Sequence, residues 1–425
     1  MYNGTLQLVL TSLVVYLMVR FRVGGKNMPW IVFVVQMSHM TFTHIFRQVA
    51  DIPRTVLEIS AMQMVLCMSL TMFAWDFYDG QVPIEQLDDE QRASRIVKMP
   101  SLLEFFGCVS FYPGVLVGPS MRYVEYHAWA HGTLYGQRMP NGRLAASLKQ
   151  LAIATCALAL VALSGSKWQY EYLINPAFAI SSAPFLARVL FMQICGITAR
   201  FPYYGVWKMA NAGCIMSGMG YSGVDASGNV HWDRCENINV AGVEFANNLK
   251  ELADNWNIHT AQWLRSCVYK RVTPPGKKPT GISAMITFIV SALWHGLYPG
   301  YFCEYMLTDT FVVLGFLQQA ARMYRLTFRP IFYANPRTPN PSFGTFSRYS
   351  MPQLAYSAVS VAVNQLGMNF AGAPFALLAM SGSTKVYNAV YWYGAVALAV
   401  SFVAFNMGFG RFMRRFHIAQ DVKTK

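Results

Sequence analysis

Long apolar stretches alternate with short polar connections along this chain. The apolar stretches lie near residues 5–20, 29–46, 56–75, 102–118, 144–164, 173–197, 200–220, 281–295, 302–320, 354–380 and 386–410. A helix needs about 20 apolar residues to cross the hydrocarbon core of a bilayer. The pattern therefore predicts an all-α, polytopic membrane protein with about nine to eleven transmembrane or re-entrant helices that enclose a tunnel.

Proline and glycine interrupt some of these stretches. The breaks fall at Phe111-Tyr112-Pro113-Gly114 and at Tyr298-Pro299-Gly300. Broken helices are tolerated at membrane depth where they pack inside protein or line a wet cavity. We therefore expect re-entrant or tilted elements that form walls of the tunnel.

The composition agrees with a membrane protein. Of the 425 residues, 54% are hydrophobic and only 13% are charged, whereas soluble globular chains carry about 25% charged residues. Aromatic residues make up 15% of the chain and methionine occurs 24 times. Both residue types suit lipid-facing surfaces and adaptable apolar tunnels.

Basic residues give the chain a net charge of +14, but they are not arranged in one stripe. They concentrate in connections between apolar stretches, at 265–278, at 322–348 and in a basic tail at 411–425. Positive loops stay on the cytoplasmic side of a membrane. We therefore expect a cytoplasmic C-terminus and no nucleic-acid partner.

The whole chain, residues 1–425, is expected to form a single integral membrane domain. Polar loops are expected at 79–98, where a short amphipathic helix is also predicted, and at 322–348. The run from Leu8 to Val19 lacks a cleavage site and indicates a first membrane helix. The eight cysteines contain no CxxC pair and are expected to be buried thiols without a catalytic role.

One histidine stands at the end of an apolar run. No charged residue occurs between Ile282 and Trp294, and His295 follows directly. An ionisable side chain at membrane depth is costly unless it lines a cavity or has a partner, which makes it a site hypothesis. The alternative is a histidine that only hydrogen-bonds to a backbone carbonyl at a helix end.

The region 244–271 is rich in side-chain amides. A helix lying in the membrane interface explains its aromatic and basic residues, but it does not explain Asn255 and Asn257. Beside a reacting centre, a carboxamide can donate to a developing oxyanion, or its carbonyl can orient a histidine. Both alternatives remain open for Asn257 at this point.

Short motifs follow one another in this part of the chain. They are Asn255-Trp256-Asn257, Trp263-Leu264-Arg265, Tyr269-Lys270-Arg271 and Trp294-His295-Gly296, the last followed by Pro299-Gly300-Tyr301. Their order resembles the membrane-bound O-acyltransferase family, and most of all its fungal lysophospholipid acyltransferases. The resemblance covers roughly residues 30–320 and extends upstream to Pro100–Phe105 and Gly118-Pro119-Ser120. The N-terminus is shorter than the family usually shows.

The resemblance implies transfer of an acyl chain from acyl-CoA to the free hydroxyl of a lysophospholipid, with His295 and Asn257 as the catalytic pair. The residues themselves suit these roles, because neutral imidazole is the natural base near pH 7 and an amide can serve the oxyanion. A thioester is already activated, so we expect direct transfer without an acyl-enzyme and without a permanently bound cofactor. The resemblance also implies that the protein is located in the endoplasmic reticulum.

Further residues are candidates for substrate binding. They are Trp256, Trp294, Tyr298, Arg271 and Glu244. Glu244 matches a polar position of the family and has structural support of the site as its other interpretation. Arg271, with Arg265, Lys270, Lys277 and Lys278, is expected either to pair with the phosphates of CoA or to reflect membrane topology.

Three further histidines, His127, His131 and His259, lie outside the motifs that carry the catalytic hypothesis. His127 and His131 have the i, i+4 spacing of a metal pair, but the glutamate of an HExxH motif is missing, so no metal site is expected. His259 is expected to be a local hydrogen-bonding partner, and contact with the substrate is the alternative.

Two alternative functions remain. A related enzyme of the same superfamily would acylate a diglyceride, a sterol or a peptide. A transporter or lipid scramblase would use His295 as a proton relay. Such relays usually include several intramembrane acids, and the apolar stretches here are poor in Asp and Glu.

Overall fold

The computed structural model describes residues 2–52, 59–136, 139–273, 277, 280–301, 313–333, 335, 338–341 and 345–417. Its α-helices are α1 Tyr2–Arg20, α2 Met28–Val49, α3 Ser60–Asp79, α4 Asp89–Ser94, α5 Leu102–Val109, α6 Tyr123–Ala130, α7 Arg143–Ser164, α8 Phe185–Ser217, α9 Val240–Glu244, α10 Leu249–Asn255, α11 Ile258–Leu264, α12 Gly281–His295, α13 Val313–Phe332, α14 Met351–Ala371, α15 Ala373–Leu377, α16 Met380–Ala389, α17 Tyr393–Asn406 and α18 Phe409–Met413. The predicted all-α class is confirmed.

Short elements join these helices. A π-helical turn over Arg265–Tyr269 follows α11. The 3₁₀ turns are Gly25–Asn27, Ile84–Gln86, Thr133–Tyr135, Tyr170–Leu173, Ala179–Ser182, Phe346–Arg348 and Arg414–Phe416. Strands β1 Gly223–Val224 and β2 Val230–His231 pair antiparallel in a small hairpin after α8.

Helices α7 and α8 are long and apolar enough to cross a membrane, and in the described part of the chain two helices meet that test. Helices α16 and α17 form a third span if they act together across a bend of 69°. Helices α1 and α12 are apolar but shorter. The membrane character agrees with the prediction, and the count of nine to eleven spans stays a prediction.

Helix α8 differs from the sequence expectation. Two stretches, 173–197 and 200–220, were expected, whereas one helix of 33 residues runs from Phe185 to Ser217 with Pro202 inside it. Proline lacks the backbone N–H and removes one helical hydrogen bond. Neighbouring groups in membrane proteins re-satisfy the freed carbonyl, so the helix continues through Pro202.

The stretch 102–118 is not one apolar helix. Helix α5 has eight residues and ends at Val109, and turns follow through the predicted break at Pro113 and Gly114. A Cβ on Gly114 would lie 2.3 Å from the backbone oxygen of Pro119. The backbone therefore folds back on itself here, at a place where glycine alone has room.

The chain divides into two compact units. The first comprises Met1–Ala159, Pro202–Ile238 and Asn257–Leu297, and the second comprises Leu160–Phe201, Asn239–Trp256 and Tyr298–Lys425. Each unit is assembled from three separate segments of the chain. The expectation of one domain over residues 1–425 stays a prediction.

Each unit has its own apolar core. In the first unit, α2 and α3 pack against α11 and α12 around the buried residues Met68, Trp263 and Trp294. In the second unit, Met192 of α8 packs with Phe370 of α14 and Tyr387 of α16. Helix α3 is buried along most of its length, and residues next to the candidate site pack against it.

The expected polar loops contain helices. Helix α4 lies within 79–98 and begins with a capping box between Asp88 and Gln91. The basic stretch 322–348, expected as a loop, is helical as far as Phe332. In the basic tail, 411–416 is helical. Positions Lys278, Cys303, Arg337, Lys423 and Lys425 lie outside the described residues.

Candidate active site

Asn257 sits at the start of α11 in a left-handed backbone conformation, with φ of 46°. Asparagine is among the few non-glycine residues that adopt this region readily. At this position asparagine usually caps the helix with its side chain. Here the carboxamide of Asn257 does not cap α11, so another residue must satisfy the first N–H groups of the helix.

Asn237, 20 positions upstream of Asn257, accepts hydrogen bonds from the first N–H groups of α11. Its backbone oxygen accepts a hydrogen bond from Ile258 N at 2.9 Å, and its Oδ1 accepts one from His259 N at 3.0 Å. Asn237 is buried. Because a backbone N–H only donates, the bond from His259 fixes which side-chain atom of Asn237 is oxygen and which is nitrogen.

The orientation of Asn237 in turn fixes that of Asn257. The Nδ2 group of Asn237 donates to Asn257 Oδ1 at 3.2 Å, and the hydroxyl of Thr260 donates to the same oxygen at 2.9 Å. A carboxamide oxygen has two lone pairs, and both are used. Among the described residues no hydrogen bond is made by the Nδ2 group of Asn257, which leaves two N–H donors for a ligand.

His295 is the last residue of α12, and Gly296 follows it with φ of 131°. Its ring stands edge-on to Trp294, with ring centroids 4.7 Å apart. Trp294 is itself anchored, because its indole N–H donates to Met64 O at 3.1 Å and its carbonyl accepts from His44 Nε2 at 3.2 Å. His44 also interacts electrostatically with His295.

Helix α3 brings the two predicted catalytic residues into one region of the first unit. Thr260, which holds Asn257, contacts Met68 Sδ at 3.4 Å. Trp294, which precedes His295, contacts Met64. Met64 and Met68 are one turn apart on α3, a rise of about 6 Å. The ring centroids of Trp263 and Trp294 lie 5.8 Å apart, so α11 and α12 also contact each other directly.

Arg271 lies in an ionic cluster of the same unit. Its guanidinium donates to both carboxylate oxygens of Asp79, at 2.8 and 2.5 Å, and stacks over the Trp75 ring at 4.2 Å. Arg122 pairs with Asp76 at 2.6 Å and with Glu90 at 2.9 Å. The acids of 79–98 were expected to be solvated, but several of them neutralise internal cations.

Lys270 belongs to the same cluster. Its ammonium contacts Asp88 at 2.7 Å and Glu90 at 2.6 Å. In the basic group predicted to pair with CoA phosphates, Lys270 and Arg271 are therefore matched by carboxylates of the protein, whereas Arg265 and Lys277 are exposed.

Three of the predicted substrate-binding residues belong to the second unit. Glu244 accepts two hydrogen bonds from Arg200, at 2.8 and 2.7 Å, and Arg200 also donates to Asn369 Oδ1 at 2.5 Å. Tyr298 stands edge-on to Tyr301 at 6.1 Å. Trp256 is the residue that ends α10. Glu244 thus supports the packing of its own unit.

His259 is oriented by local backbone groups, in line with the sequence expectation. Its ring interacts with the backbone of Ser120 and Arg234, and burial lowers the pKa of His259 below its ordinary value. The ring therefore stays neutral near pH 7 and helps to fix the first turn of α11.

Sequence reasoning missed Asn237, His44 and Arg200, and it gave Thr260 no role. Thr260 could have been found, because a residue three positions after a helix start faces the capping residue. Asn237, His44 and Arg200 act across 20, 250 and 44 positions respectively. No local pattern in the sequence signals such distant contacts.

The fold and the site define a class of protein. It is an all-α membrane protein with a histidine and an oriented carboxamide beside one apolar core. The family model of the membrane-bound O-acyltransferases matches residues 54–357. The chain belongs to this family.

Curated relatives align over most of the chain. A lysophospholipid acyltransferase of Schizosaccharomyces pombe is 34% identical over 96% of this chain and 77% of its own length. A lysophospholipid acyltransferase of Saccharomyces cerevisiae is 30% identical over 99% of this chain and 69% of its own length. Membrane-bound glycerophospholipid O-acyltransferase 1 of Mus musculus is 29% identical over 85% of this chain and 71% of its own length.

Proposed function

We propose that this chain transfers an acyl group from acyl-CoA to the free hydroxyl of a lysophospholipid, with His295 as general base and Asn257 as oxyanion donor. The family and the relatives named lysophospholipid acyltransferase support the reaction. The observation that carries the assignment of roles is the pair of hydrogen bonds to Asn257 Oδ1, which leaves the N–H donors of that carboxamide open.

The reaction proceeds by direct attack. The imidazole of His295 accepts the hydroxyl proton of the lysophospholipid while the hydroxyl oxygen attacks the thioester carbonyl carbon. The tetrahedral intermediate then collapses, the C–S bond breaks, and the CoA thiolate takes the proton back from imidazolium. Proton transfer by a positioned base contributes about 10²–10⁴-fold to the rate.

Asn257 donates to the oxyanion and does not orient the histidine. Sequence reasoning left both roles open, because a carboxamide has an oxygen and an N–H₂ group. The oxygen is occupied by Asn237 and Thr260, so the N–H₂ group is the part of Asn257 that remains for chemistry. One well-placed oxyanion donor is worth roughly 3–4 kcal/mol.

The membrane arrangement follows from the two substrates. Acyl-CoA is water-soluble at its head, and the lysophospholipid comes from the bilayer, so a tunnel needs one wet mouth and one opening toward lipid. We infer about nine to eleven spanning or re-entrant helices around that tunnel, a cytoplasmic C-terminus and location in the endoplasmic reticulum. Arg265 and Lys277 are exposed, which supports pairing with CoA phosphates. The substrate-binding roles of Trp256, Trp294, Tyr298, Arg271 and Glu244 stay predictions.

The experiment is an acceptor panel. Purified protein in nanodiscs receives labelled acyl-CoA with lysophospholipids of different headgroups, a diglyceride, a sterol or no acceptor. The proposal expects labelled diacyl phospholipid and CoA release that depends on a lysophospholipid. Transfer to the diglyceride or sterol instead, or CoA release with no acylated lipid, would overturn it.

A further inference from the structure

A glutamate and two histidines converge in the first unit, apart from the residues proposed for catalysis. The carboxylate Oε1 of Glu104 lies 3.5 Å from His131 Nε2 and 3.9 Å from His127 Nε2. The two imidazole rings have their centroids 4.2 Å apart. One possible ligand atom from each of the three residues lies within 4.8 Å of the others.

The sequence explains half of this cluster. His127 and His131 are four residues apart at the end of α6, and residues i and i+4 share a helix face. An HExxH motif would supply its glutamate from the same helix, and that glutamate is missing here. Glu104 reaches the histidines from a different helix, α5, which is why the sequence pattern predicted no metal site.

Glu104 is held in place by a capping box. Its Oε2 accepts hydrogen bonds from Ser101 N at 2.8 Å and from Ser101 Oγ at 2.7 Å. These bonds occupy one carboxylate oxygen and leave Oε1 facing the histidines. Such oriented second contacts are typical of metal-ligating side chains.

We propose that Glu104, His127 and His131 bind a divalent transition-metal ion of the zinc class, with water as the fourth ligand. Bonds of about 2.0–2.1 Å in a tetrahedral site place neighbouring ligand atoms about 3.4 Å apart. The distances of 3.5 and 3.9 Å from Glu104 Oε1 need only a small adjustment to reach that geometry. Two imidazoles with one carboxylate favour zinc over magnesium or calcium, which prefer oxygen ligands.

The ion would join α5 to α6. Phe105, next to Glu104, and Tyr123, one turn before His127, already pack in the same buried cluster. The two histidine side chains are 47% and 54% exposed, so an ion reaches them without unfolding of the protein. The site is therefore a clip between two short helices, and its occupancy changes stability rather than the acyl-transfer step.

Zn²⁺ binding to the purified chain tests the proposal. The protein is prepared with an affinity tag that contains no histidine, stripped with EDTA, and titrated with ZnCl₂ against a chromophoric zinc indicator. The unfolding temperature is recorded in parallel. The wild type is expected to bind one equivalent of Zn²⁺ more than His127→Ala/His131→Ala, and to unfold at a higher temperature when zinc is present.

Two single variants sharpen the result. Glu104→Gln keeps the capping box, because glutamine serves at that position as well as glutamate, but it lacks the anionic ligand. We expect it to fold normally and to bind Zn²⁺ more weakly by on the order of tenfold or more. Its fold does not depend on the histidines, so it tests the site even if the double variant is unstable.

His231→Ala is the matched control. His231 is also exposed, and its Nε2 lies 3.2 Å from Asp225 Oδ2, but it has one carboxylate partner and no second histidine in the described cluster. It should leave the zinc stoichiometry and affinity unchanged. Equal zinc binding in the wild type, Glu104→Gln and His127→Ala/His131→Ala would overturn the proposal and leave an ordinary histidine–glutamate ion pair.

Discussion

Two polar regions of the first unit use hydrogen bonds in opposite ways. Around Asn257 every partner is neutral, and the bonds from Asn237 and Thr260 leave the N–H₂ group of Asn257 open. Around Arg271 the groups are charged, and the two Asp79 oxygens match the guanidinium while the Trp75 ring covers its face. The first region keeps two N–H donors open, whereas in the second region a carboxylate already matches the charge of the guanidinium.

The difference favours a chemical role for Asn257 over one for Arg271. A buried ion pair costs several kcal/mol of desolvation for each ion, and its partners repay that cost only while they stay paired. A substrate that competed for Arg271 would have to break this pairing. An open amide donor already inside the protein is available to a developing charge without such a cost.

Breaking the ionic region should have the largest effect on stability. Asp79→Ala leaves the Arg271 guanidinium buried without its carboxylate, which is expected to cost about 3–5 kcal/mol of unfolding free energy. Thermal unfolding in detergent measures the change. Arg92→Ala is the control, since its partner Asp89 is exposed and such pairs contribute about 0–1 kcal/mol. Equal stability losses in both variants would contradict the distinction.

Breaking the neutral region should lower turnover far more than stability. Asn257→Ala removes the open N–H donors, and we expect turnover to fall on the order of tenfold or more with little change in acyl-CoA affinity. The free energy of unfolding should fall by only about 1–2 kcal/mol, because alanine is strained at the left-handed position of Asn257. Initial rates and equilibrium binding separate the two quantities. A loss of affinity alone would show that Asn257 only binds substrate.

The neighbouring asparagine is the matched control for that variant. Asn255 belongs to the same Asn-Trp-Asn motif, but its side chain donates to Glu251 O at 2.7 Å within α10. Asn255→Ala should leave kcat close to that of the wild type. Equal losses of turnover in the two variants would mean that the motif acts only through packing.

A smaller effect is expected from a residue that acts through Asn257. Asn237→Asp still accepts from His259 N, but it cannot donate to Asn257 Oδ1, so the carboxamide loses one of the two bonds that orient it. A neutral hydrogen bond contributes about 1 kcal/mol, which predicts a decrease in kcat of roughly fivefold at unchanged KM. A change in KM without a change in kcat would assign Asn237 to binding instead of positioning.

The fold class could be predicted from sequence, and Asn257 and His295 could be recognised as candidates, because their signals are local. Apolar stretches without charge indicate membrane helices, and the motifs around Asn257 and His295 are contiguous. The span count is harder, since the apolar stretch 102–118 ends as a helix at Val109 and Pro202 does not end α8. Local composition does not show whether a helix stops at such a residue.

The residues that orient the site could not be predicted, because their contacts are long-range. Asn237 caps α11 from 20 positions away, and Arg271 meets Asp79 across 192 positions. Arg271 was interpreted from its basic neighbours, since the sequence does not show that a carboxylate lies beside it. The partner of a charge decides its role, and the partner is set by the tertiary fold.

The central claim is that His295 removes the proton from the acceptor hydroxyl. The most direct test compares wild type and His295→Ala in nanodiscs, with labelled acyl-CoA and the best acceptor of the panel. His231→Ala serves as control, and acyl-CoA binding and unfolding temperature are measured on the same samples. We predict that transfer by His295→Ala falls by at least about 10²-fold while binding and folding are retained, and turnover equal to that of the wild type would contradict the account.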